Sequence, residues 1–292
     1  MNGELKEAVS VVIPAYNEEA SIALQIDAVH QIMRSTGRDY EVIVVNDGST
    51  DGTEKRVDKQ RAKLISLPEN RGYGAALKTG ISEARNELIV MIDADGTYSC
   101  DAIPELLDNA DGYDMVVGAR IDGNINIPLL RRPAKWLLQK LASYLTGKAI
   151  PDLNSGLRVI RKPIVERYSR LLPSGFSFTS TITLACLCNN HPICYRPIPY
   201  HKRIGRSKIR PVDAYHFLLL IIRTIVYFNP LKVFLPLGLF FFCGGLGKLI
   251  YDVYIGNLSE SAVLGFITAF LIWAVGLLSD QISKFGIGMG GR

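Results

Sequence analysis

Two carboxylates one residue apart, Asp93 and Asp95, follow the apolar run Leu88-Ile89-Val90-Met91-Ile92 and precede Gly96. The run is rich in β-branched types and reads as a buried strand. In an open α/β sheet, ligands bind beyond the carboxyl ends of the strands. Two carboxylates aimed at one crevice repel each other unless a cation or hydrogen-bond donors hold both ionised. Hard oxygen ligands suit Mg2+ or Mn2+, and such ions complete their shells with substrate phosphates. Asp93-Ala94-Asp95 therefore reads as a platform for a divalent metal and a diphosphate.

The elements that must position this pair are legible on either side. Val9 to Ala15 reads as a first buried strand, passing into Tyr16-Asn17-Glu18-Glu19. Ser21 to Met33 has helical spacing of apolar residues. Tyr40 to Val45 is a second strand, ending in Asn46-Asp47-Gly48-Ser49, which is turn chemistry ahead of a helix start. Lys63 to Leu67 is a short third strand. Arg71-Gly72-Tyr73-Gly74 opens a helix to about Ala84, and Glu87 to Ile92 is the fourth strand. Alternation of strand and helix predicts a mostly parallel, doubly wound α/β sheet with helices on both faces. Parallel strands deliver Glu18, Asp47, Asp93 and Asp95 to one edge. Asp114 to Arg120 is a further strand that delivers Arg120 to a loop. Arg131-Arg132-Pro133 precedes an amphipathic helix to about Leu145, and Asp152 to Arg158 is a turn into a strand. Ser180 to Leu187 looks helical. Ile193 to Tyr200 carries two prolines and reads as an edge strand.

The chain has 292 residues and a net charge of +5, a modest surplus compatible with anionic partners. The distribution of charge says more. Lys202, Arg203, Arg206, Lys208 and Arg210 fall within one stretch that holds no acid. The five cysteines show no paired metal spacing and read as reduced thiols, with Cys186 and Cys188 as small buried apolar residues. The opening MNGELKEAVS has no apolar core and reads as no signal peptide. Pro211 to Phe228 is an amphipathic helix suited to a membrane surface. Val233 to Tyr251 has Lys248 as its one charge, and Ser261 to Ser279 has none. Each approaches the length of about 20 residues that a bilayer needs. The expected organisation is an α/β unit over 1–210, an interfacial helix over 211–230 and an anchor over 231–292. The anchor's spans are expected at about 232–254 and 260–282. The connecting loop around Asp252–Glu260 lacks Lys and Arg, which predicts cytoplasmic termini and a cytoplasmic catalytic unit. Lys248 is expected to snorkel toward the interface.

Several blocks occur in a characteristic order: Pro-Ala-Tyr-Asn-Glu at 14–18, Asn-Asp-Gly-Ser-Thr-Asp-Gly-Thr at 46–53 and Arg-Gly-Tyr-Gly-Ala-Ala at 71–76. Asp-Ala-Asp at 93–95, Gly-Ala-Arg at 118–120, Asn-Ser-Gly-Leu-Arg at 154–158 and Arg-Ile-Gly-Arg-Ser-Lys at 203–208 follow. Together with the apolar tail they resemble the family 2, GT-A-fold glycosyltransferases, in particular the polyprenyl-phosphate branch that includes dolichol-phosphate mannosyltransferases. The resemblance implies that Pro14, Tyr16, Glu18, Asp47, Asp93 and Ala94 line the nucleotide-sugar site. It implies Asp95 as chief ligand of Mg2+ or Mn2+, with Asp93 and Thr97 beside it. Many relatives have Gln where Thr97 stands, and the leading Asp of the first acidic block is here Asn46. Arg120 and Arg203, with Asp95, are implied as the catalytic groups. Arg131, Arg132, Ser155, Arg206 and Lys208 are implied to bind the acceptor and its phosphate. An Arg fork matches phosphate oxygens in geometry.

The implied reaction is transfer of a hexose from a UDP- or GDP-linked donor to a polyprenyl or dolichyl phosphate. A lipid phosphate, with a second pKa of about 6, is already anionic and needs no general base. Inversion at the anomeric carbon follows from in-line attack. The implied partners are the nucleotide sugar, the lipid phosphate and membrane lipids, with no nucleic acid, and relatives with two spans often assemble as tetramers. The alternatives are an acceptor of another kind, lipid or polysaccharide, and a non-catalytic scaffold. Processive synthases carry a Gln-x-x-Arg-Trp block that is absent here, and intact Asp93, Asp95, Arg120 and Arg203 argue against a scaffold. A dinucleotide oxidoreductase is excluded by the missing Gly-x-Gly-x-x-Gly turn after the first strand.

Overall fold

The computed structural model describes residues 6–120, 146–175, 177–200, 226–257 and 259–289, together with 140, 142–144, 219, 222 and 223. Arg131, Arg132, Arg203, Arg206 and Lys208 lie outside the described residues, as does most of the segment 211–228.

Among the described residues the strands are β1 (Val9–Ala15), β2 (Tyr40–Asn46), β3 (Lys63–Ser66), β4 (Leu88–Met91), β5 (Met115–Arg120), β6 (Arg158–Arg161) and β7 (Ile193–Ile198). They form one sheet in the order β3-β2-β1-β4-β6-β5-β7. β1 pairs in parallel with β2 and β4, and β5 in parallel with β7. β6 runs against both neighbours, with Arg158 opposite Met91 of β4 and Val117 of β5. The alternation of strands and helices did not disclose this reversal. Its consequence is local to the site: the turn that precedes β6 lies at the edge where β4 and β5 end.

The helices of this unit are α1 (Ile22–Thr36), α2 (Tyr73–Ser82), α3 (Ile103–Asp108), α4 (Lys162–Tyr168) and α5 (Phe178–Cys188). α4 is an element that the sequence pattern did not show. The strands alternate their side chains between two cores, as a period of two requires. Val9, Val11 and Ile13 of β1 and Leu88 and Val90 of β4 join Ile22, Ile26, Val29 and Met33 of α1. Val12 of β1 and Ile89 and Met91 of β4 join Leu77 and Ile81 of α2, with Ile164 of α4 and Phe178 of α5. α2 lies close on the sheet because Gly80 faces it: a Cβ there would come 3.0 Å from Val45 Cγ2. β7 is at the edge, where its Pro197 costs no ladder hydrogen bond to a further strand.

Two long helices close the described chain, α6 (Leu231–Ile255) and α7 (Glu260–Met289). Both are long and apolar enough to cross a membrane, and only 11% and 17% of their most apolar windows are covered by protein. They pack as a hairpin through small residues. A Cβ on Gly265 would lie 2.9 Å from Gly245 Cα, so the backbones touch. Gly276 leaves room for Phe234 in the same way. α6 ends where Gly256 adopts φ 68° and the Asn257 amide reaches back to the Asp252 carbonyl.

Two expectations about this hairpin are corrected. Asp252 belongs to the last turn of α6, not to the connecting loop, and its side chain is fully buried. Lys248 ion-pairs with Asp252 one turn away instead of simply reaching for the interface. The Ser259 amide donates to the same carboxylate at 3.0 Å, and the Ser259 hydroxyl donates as well. A carboxylate held among apolar helices requires such partners.

Candidate functional site

Asp47, directly after β2, is 3% exposed. Its two oxygens accept the amides of Arg71 (2.7 Å) and Gly72 (2.8 Å). The carboxylate thereby fixes the start of α2, whose preceding Gly72 sits at φ 97°, a region closed to most side chains. Glu18, after β1, begins α1: its carbonyl accepts the amides of Ser21 (3.1 Å) and Ile22 (2.9 Å), and its Oε2 accepts the Ser21 hydroxyl at 3.0 Å. Tyr16 is half-buried beside it. Pro14 is buried within β1, and Ala94 is 3% exposed and packed in the core, so both can meet a ligand only through backbone atoms.

β4 ends at Met91 and hands the chain to Asp93 and Asp95. Asp95 is buried, and its Oδ1 accepts both the amide (3.1 Å) and the hydroxyl (2.7 Å) of Thr97. Thr97 is 1% exposed. Its hydroxyl thus orients Asp95 and keeps its oxygen lone pairs. Asp93 continues the side-chain alternation of Ile89 and Met91 toward α2. There the Tyr73 hydroxyl donates to its Oδ1 at 2.8 Å. Burial, then the negative charge of Asp93, pushes the Tyr73 phenol well above its ordinary value, so it stays a donor. A cleft of about 780 Å3 opens beside Asp95, with Glu18, Gln25 and Arg56 in its wall; Asp47 and Asp93 are not part of that wall.

Arg120, at the end of β5, is held by Asp152. Nε donates to Oδ2 at 2.6 Å, Nη2 to Oδ1 at 2.8 Å, and the Arg120 amide to Oδ2 at 3.2 Å. Burial disfavours both charges, yet the mutual hydrogen bonds win: the Asp152 carboxyl lies below its ordinary value and the Arg120 guanidinium above. The guanidinium also lies 5.2 Å from the centre of the Tyr200 ring. A side-on pair of this kind uses Nε and one Nη, leaving further N–H groups of the fork for an anion.

These strand ends match known proteins. Residues 10–169 fit the family described as "Glycosyl transferase family 2", and residues 229–285 fit that described as "GtrB C-terminal hairpin". The chain belongs to glycosyltransferase family 2. The transferase is 33% identical over 204 residues to a dolichyl-phosphate hexose transferase of Haloferax volcanii, covering 69% of this chain and 86% of that one. It is 35% identical over 169 residues to the undecaprenyl-phosphate 4-deoxy-4-formamido-L-arabinose transferase of Salmonella paratyphi B, covering 56% of this chain and 51% of that relative. It thus spans about half the length of the second relative. Among solved structures, it is similar to glucosyl-3-phosphoglycerate synthase from Mycobacterium tuberculosis in complex with Mn2+, UDP and glucosyl-3-phosphoglycerate. There the identity is 25% and the TM-score 0.58, over 77% of this chain and 82% of that one.

The transferase has no group of three or more His, Cys, Asp or Glu able to hold a metal among its described residues. Two carboxylates at one strand end are the donor set it does offer. That set fits a hard cation that draws its remaining ligands from water and substrate phosphates, which is how Mg2+ commonly binds.

The turn before β6 holds Ser155, which the sequence singled out, and Asp152, which it did not. Asp152 was visible only as part of a turn; its bond to Arg120 spans 32 positions. Ser155 is fully buried and its hydroxyl donates to the Gly118 carbonyl at 2.5 Å, so it ties the turn to β5. The Gly156 amide donates to the Tyr98 hydroxyl at 2.7 Å. Arg158 is fully buried, and its fork donates to the carbonyls of Leu153 (2.9 Å), Ser155 (2.7 Å) and Thr179 (3.0 Å). A guanidinium satisfied by carbonyls on both the turn and α5 locks that turn against the helix. Asn46 is likewise buried, and its Oδ1 accepts the Ser49 amide at 3.0 Å, a turn bond that an Asp could also make.

Proposed function

We propose that this family 2 transferase moves a hexose from a UDP- or GDP-linked donor to a polyprenyl or dolichyl phosphate, with inversion, at a membrane surface. The observation that carries the reading is the gathering of Asp93, Asp95 and Arg120 at one edge of the sheet, in a chain that closes with an apolar helical hairpin. Relatives named for dolichyl-phosphate and undecaprenyl-phosphate acceptors support the acceptor class.

Asp95 and Asp93 would hold Mg2+ or Mn2+, which when bound supplies positive charge against the leaving diphosphate. Thr97 keeps Asp95 in one orientation, so the carboxylate pays little reorganisation cost when donor arrives. Asp152 holds Arg120 in place, and the guanidinium offers its remaining N–H groups to a phosphate oxygen. The acceptor phosphate oxygen is anionic at neutral pH and attacks the anomeric carbon as the bond to the diphosphate breaks. No side chain need take a proton. Arg203, Arg206, Lys208, Arg131 and Arg132 serve the acceptor phosphate and the lipid headgroups in this reading, and Ser155 serves it through the shape of its turn. Pro14, Tyr16, Glu18, Asp47 and Ala94 bound the nucleotide site.

The same reading divides the chain at about 210 and 230 into a catalytic unit, an interfacial helix and an anchor. It places the catalytic unit and both termini in the cytoplasm, since the helix connection lacks Lys and Arg. The test is a donor screen with the full chain in detergent, short-chain polyprenyl phosphate and Mg2+ or Mn2+, scoring lipid-linked sugar. Product from one UDP- or GDP-hexose is expected. No product from any of them would overturn the reading.

A further inference from the structure

Asp93 is gripped from two sides. On one, the Tyr73 hydroxyl meets Oδ1 at 2.8 Å. On the other, the Gly156 backbone covers the carboxylate: a Cβ there would lie 2.7 Å from Cγ and 2.8 Å from Oδ1, so only glycine fits. Neither wall is loose. The Gly156 amide is bonded to Tyr98, and the carbonyls of Leu153 and Ser155 in the same turn are bonded to buried Arg158. Tyr73 is the first residue of α2, a helix whose start is held three ways. Asp47 takes the amides of Arg71 and Gly72, the Ala75 amide donates to the Ser174 carbonyl at 3.0 Å, and a Cβ on Gly74 would meet Phe178 Cβ at 3.1 Å. The phenol ring is partly buried and packs against the core beneath α2, and its oxygen reaches Asp93.

A carboxylate that meets a cation-bound diphosphate gains from being fixed beforehand, since a freely rotating one must be ordered on binding. We propose that Tyr73 is a positioning residue for donor binding: its hydroxyl fixes the orientation in which Asp93 meets the cation-bound diphosphate of the nucleotide sugar. This rests on the reading of Asp93 and Asp95 as the donor platform. It adds a residue that reaches the donor only through Asp93, from the Arg-Gly-Tyr-Gly-Ala-Ala block at 71–76, in which Tyr73 carries no role from sequence alone.

Tyr73→Phe removes one oxygen and leaves every carbon contact of the ring. The experiment is calorimetry of UDP and GDP binding to the full chain in detergent, with and without Mn2+, for wild type, Tyr73→Phe, Asp93→Asn and the double variant. Wild type is expected to bind one nucleotide in a Mn2+-dependent way. Tyr73→Phe is expected to weaken that binding roughly tenfold, the scale of one hydrogen bond to a charged group. It should raise the donor KM while leaving the acceptor KM unchanged. In the Asp93→Asn background the same change should add nothing further, because Tyr73 acts through that carboxylate. Equal nucleotide affinity in wild type and Tyr73→Phe would overturn the proposal, as would an equal loss in both backgrounds. A lowered melting temperature with unchanged affinity would also overturn it and leave Tyr73 a packing residue. A wild type that binds neither nucleotide with Mn2+ would instead sink the donor platform itself, and this inference with it.

Discussion

The edge of the sheet and the C-terminal hairpin solve opposite problems. At the edge, charged groups are numerous and each is fixed by named hydrogen bonds: Asp47 by two amides, Asp95 by Thr97, Asp93 by Tyr73, Arg120 by Asp152. In the hairpin, contact is made by glycine against backbone and aromatic ring, and the charged pair Lys248–Asp252 sits at its far turn. The first arrangement is directional and costs desolvation, so losing one member leaves a buried charge without its partner. The second is mostly additive dispersion, in which an altered glycine loosens the packing without orphaning a charge. In the proposed function, chemistry belongs with the first because a reaction needs charges at set positions, and anchoring with the second because it needs a well-packed apolar body.

Substitutions at the two regions should therefore fail differently. The largest effect is expected from Asp95→Asn, which keeps the bond from Thr97 but removes the charge. Transfer should fall by at least about a hundredfold, because charge stabilisation by a bound metal is worth several kcal/mol. Its melting temperature should match wild type. Rates at limiting Mn2+ alongside thermal melts measure both, and full activity there would remove Asp95 from the site.

Next is the pair in the turn. Arg120→Ala leaves Asp152 buried and unpaired, a loss of about 3–5 kcal/mol for such pairs. Arg120→Ala with Asp152→Asn should recover part of that stability and none of the activity. Denaturant melts of the three variants decide it. If the double variant is no more stable than Arg120→Ala, the bond is not what holds this turn.

In the hairpin, Gly265→Leu must push α6 from α7. Overpacking of this kind costs about 1–3 kcal/mol. The melting temperature in detergent should drop, while turnover with a short, water-dispersible acceptor stays close to wild type. A collapse of turnover at unchanged stability would show that the hairpin shapes the catalytic edge.

The smallest expected effect concerns pH. The folded-state value of Asp152 is depressed below 3.8, with burial opposing and Arg120 prevailing. Its contribution to stability is thus present above that ordinary value and is lost as pH falls through the depressed one. Wild type should lose stability on acidification below about pH 4, at up to about 1.4 kcal/mol per pH unit for one group. Asp152→Asn should lose less over the same window, which melts at stepped pH would show. Parallel curves would assign the acid sensitivity to other carboxylates.

What the amino-acid order determined by itself is whatever depends on neighbours a few positions apart. Short continuous apolar runs set β1, β2 and β4, and the turn residues after them put Glu18, Asp47, Asp93 and Asp95 at one edge. Two long apolar runs, with Lys248 as their one charge, set the hairpin by length and composition. Even Lys248 and Asp252 share a helix face at a spacing of four, although that bond went unread while Asp252 was assigned to a loop. Only the tertiary structure decided what depends on the path of the chain. A four-residue strand such as Arg158–Arg161 carries no mark of direction, so β6 had to be seen to run backwards. That reversal brings Asp152 to Arg120 across 32 positions and lays Gly156 on Asp93. Tyr73 finds Asp93 only because α2 packs on the face of the sheet to which Asp93 alternates. Periodicity is a local property of a chain, whereas a partner for a buried charge is chosen by whichever distant segment the packed core returns to it.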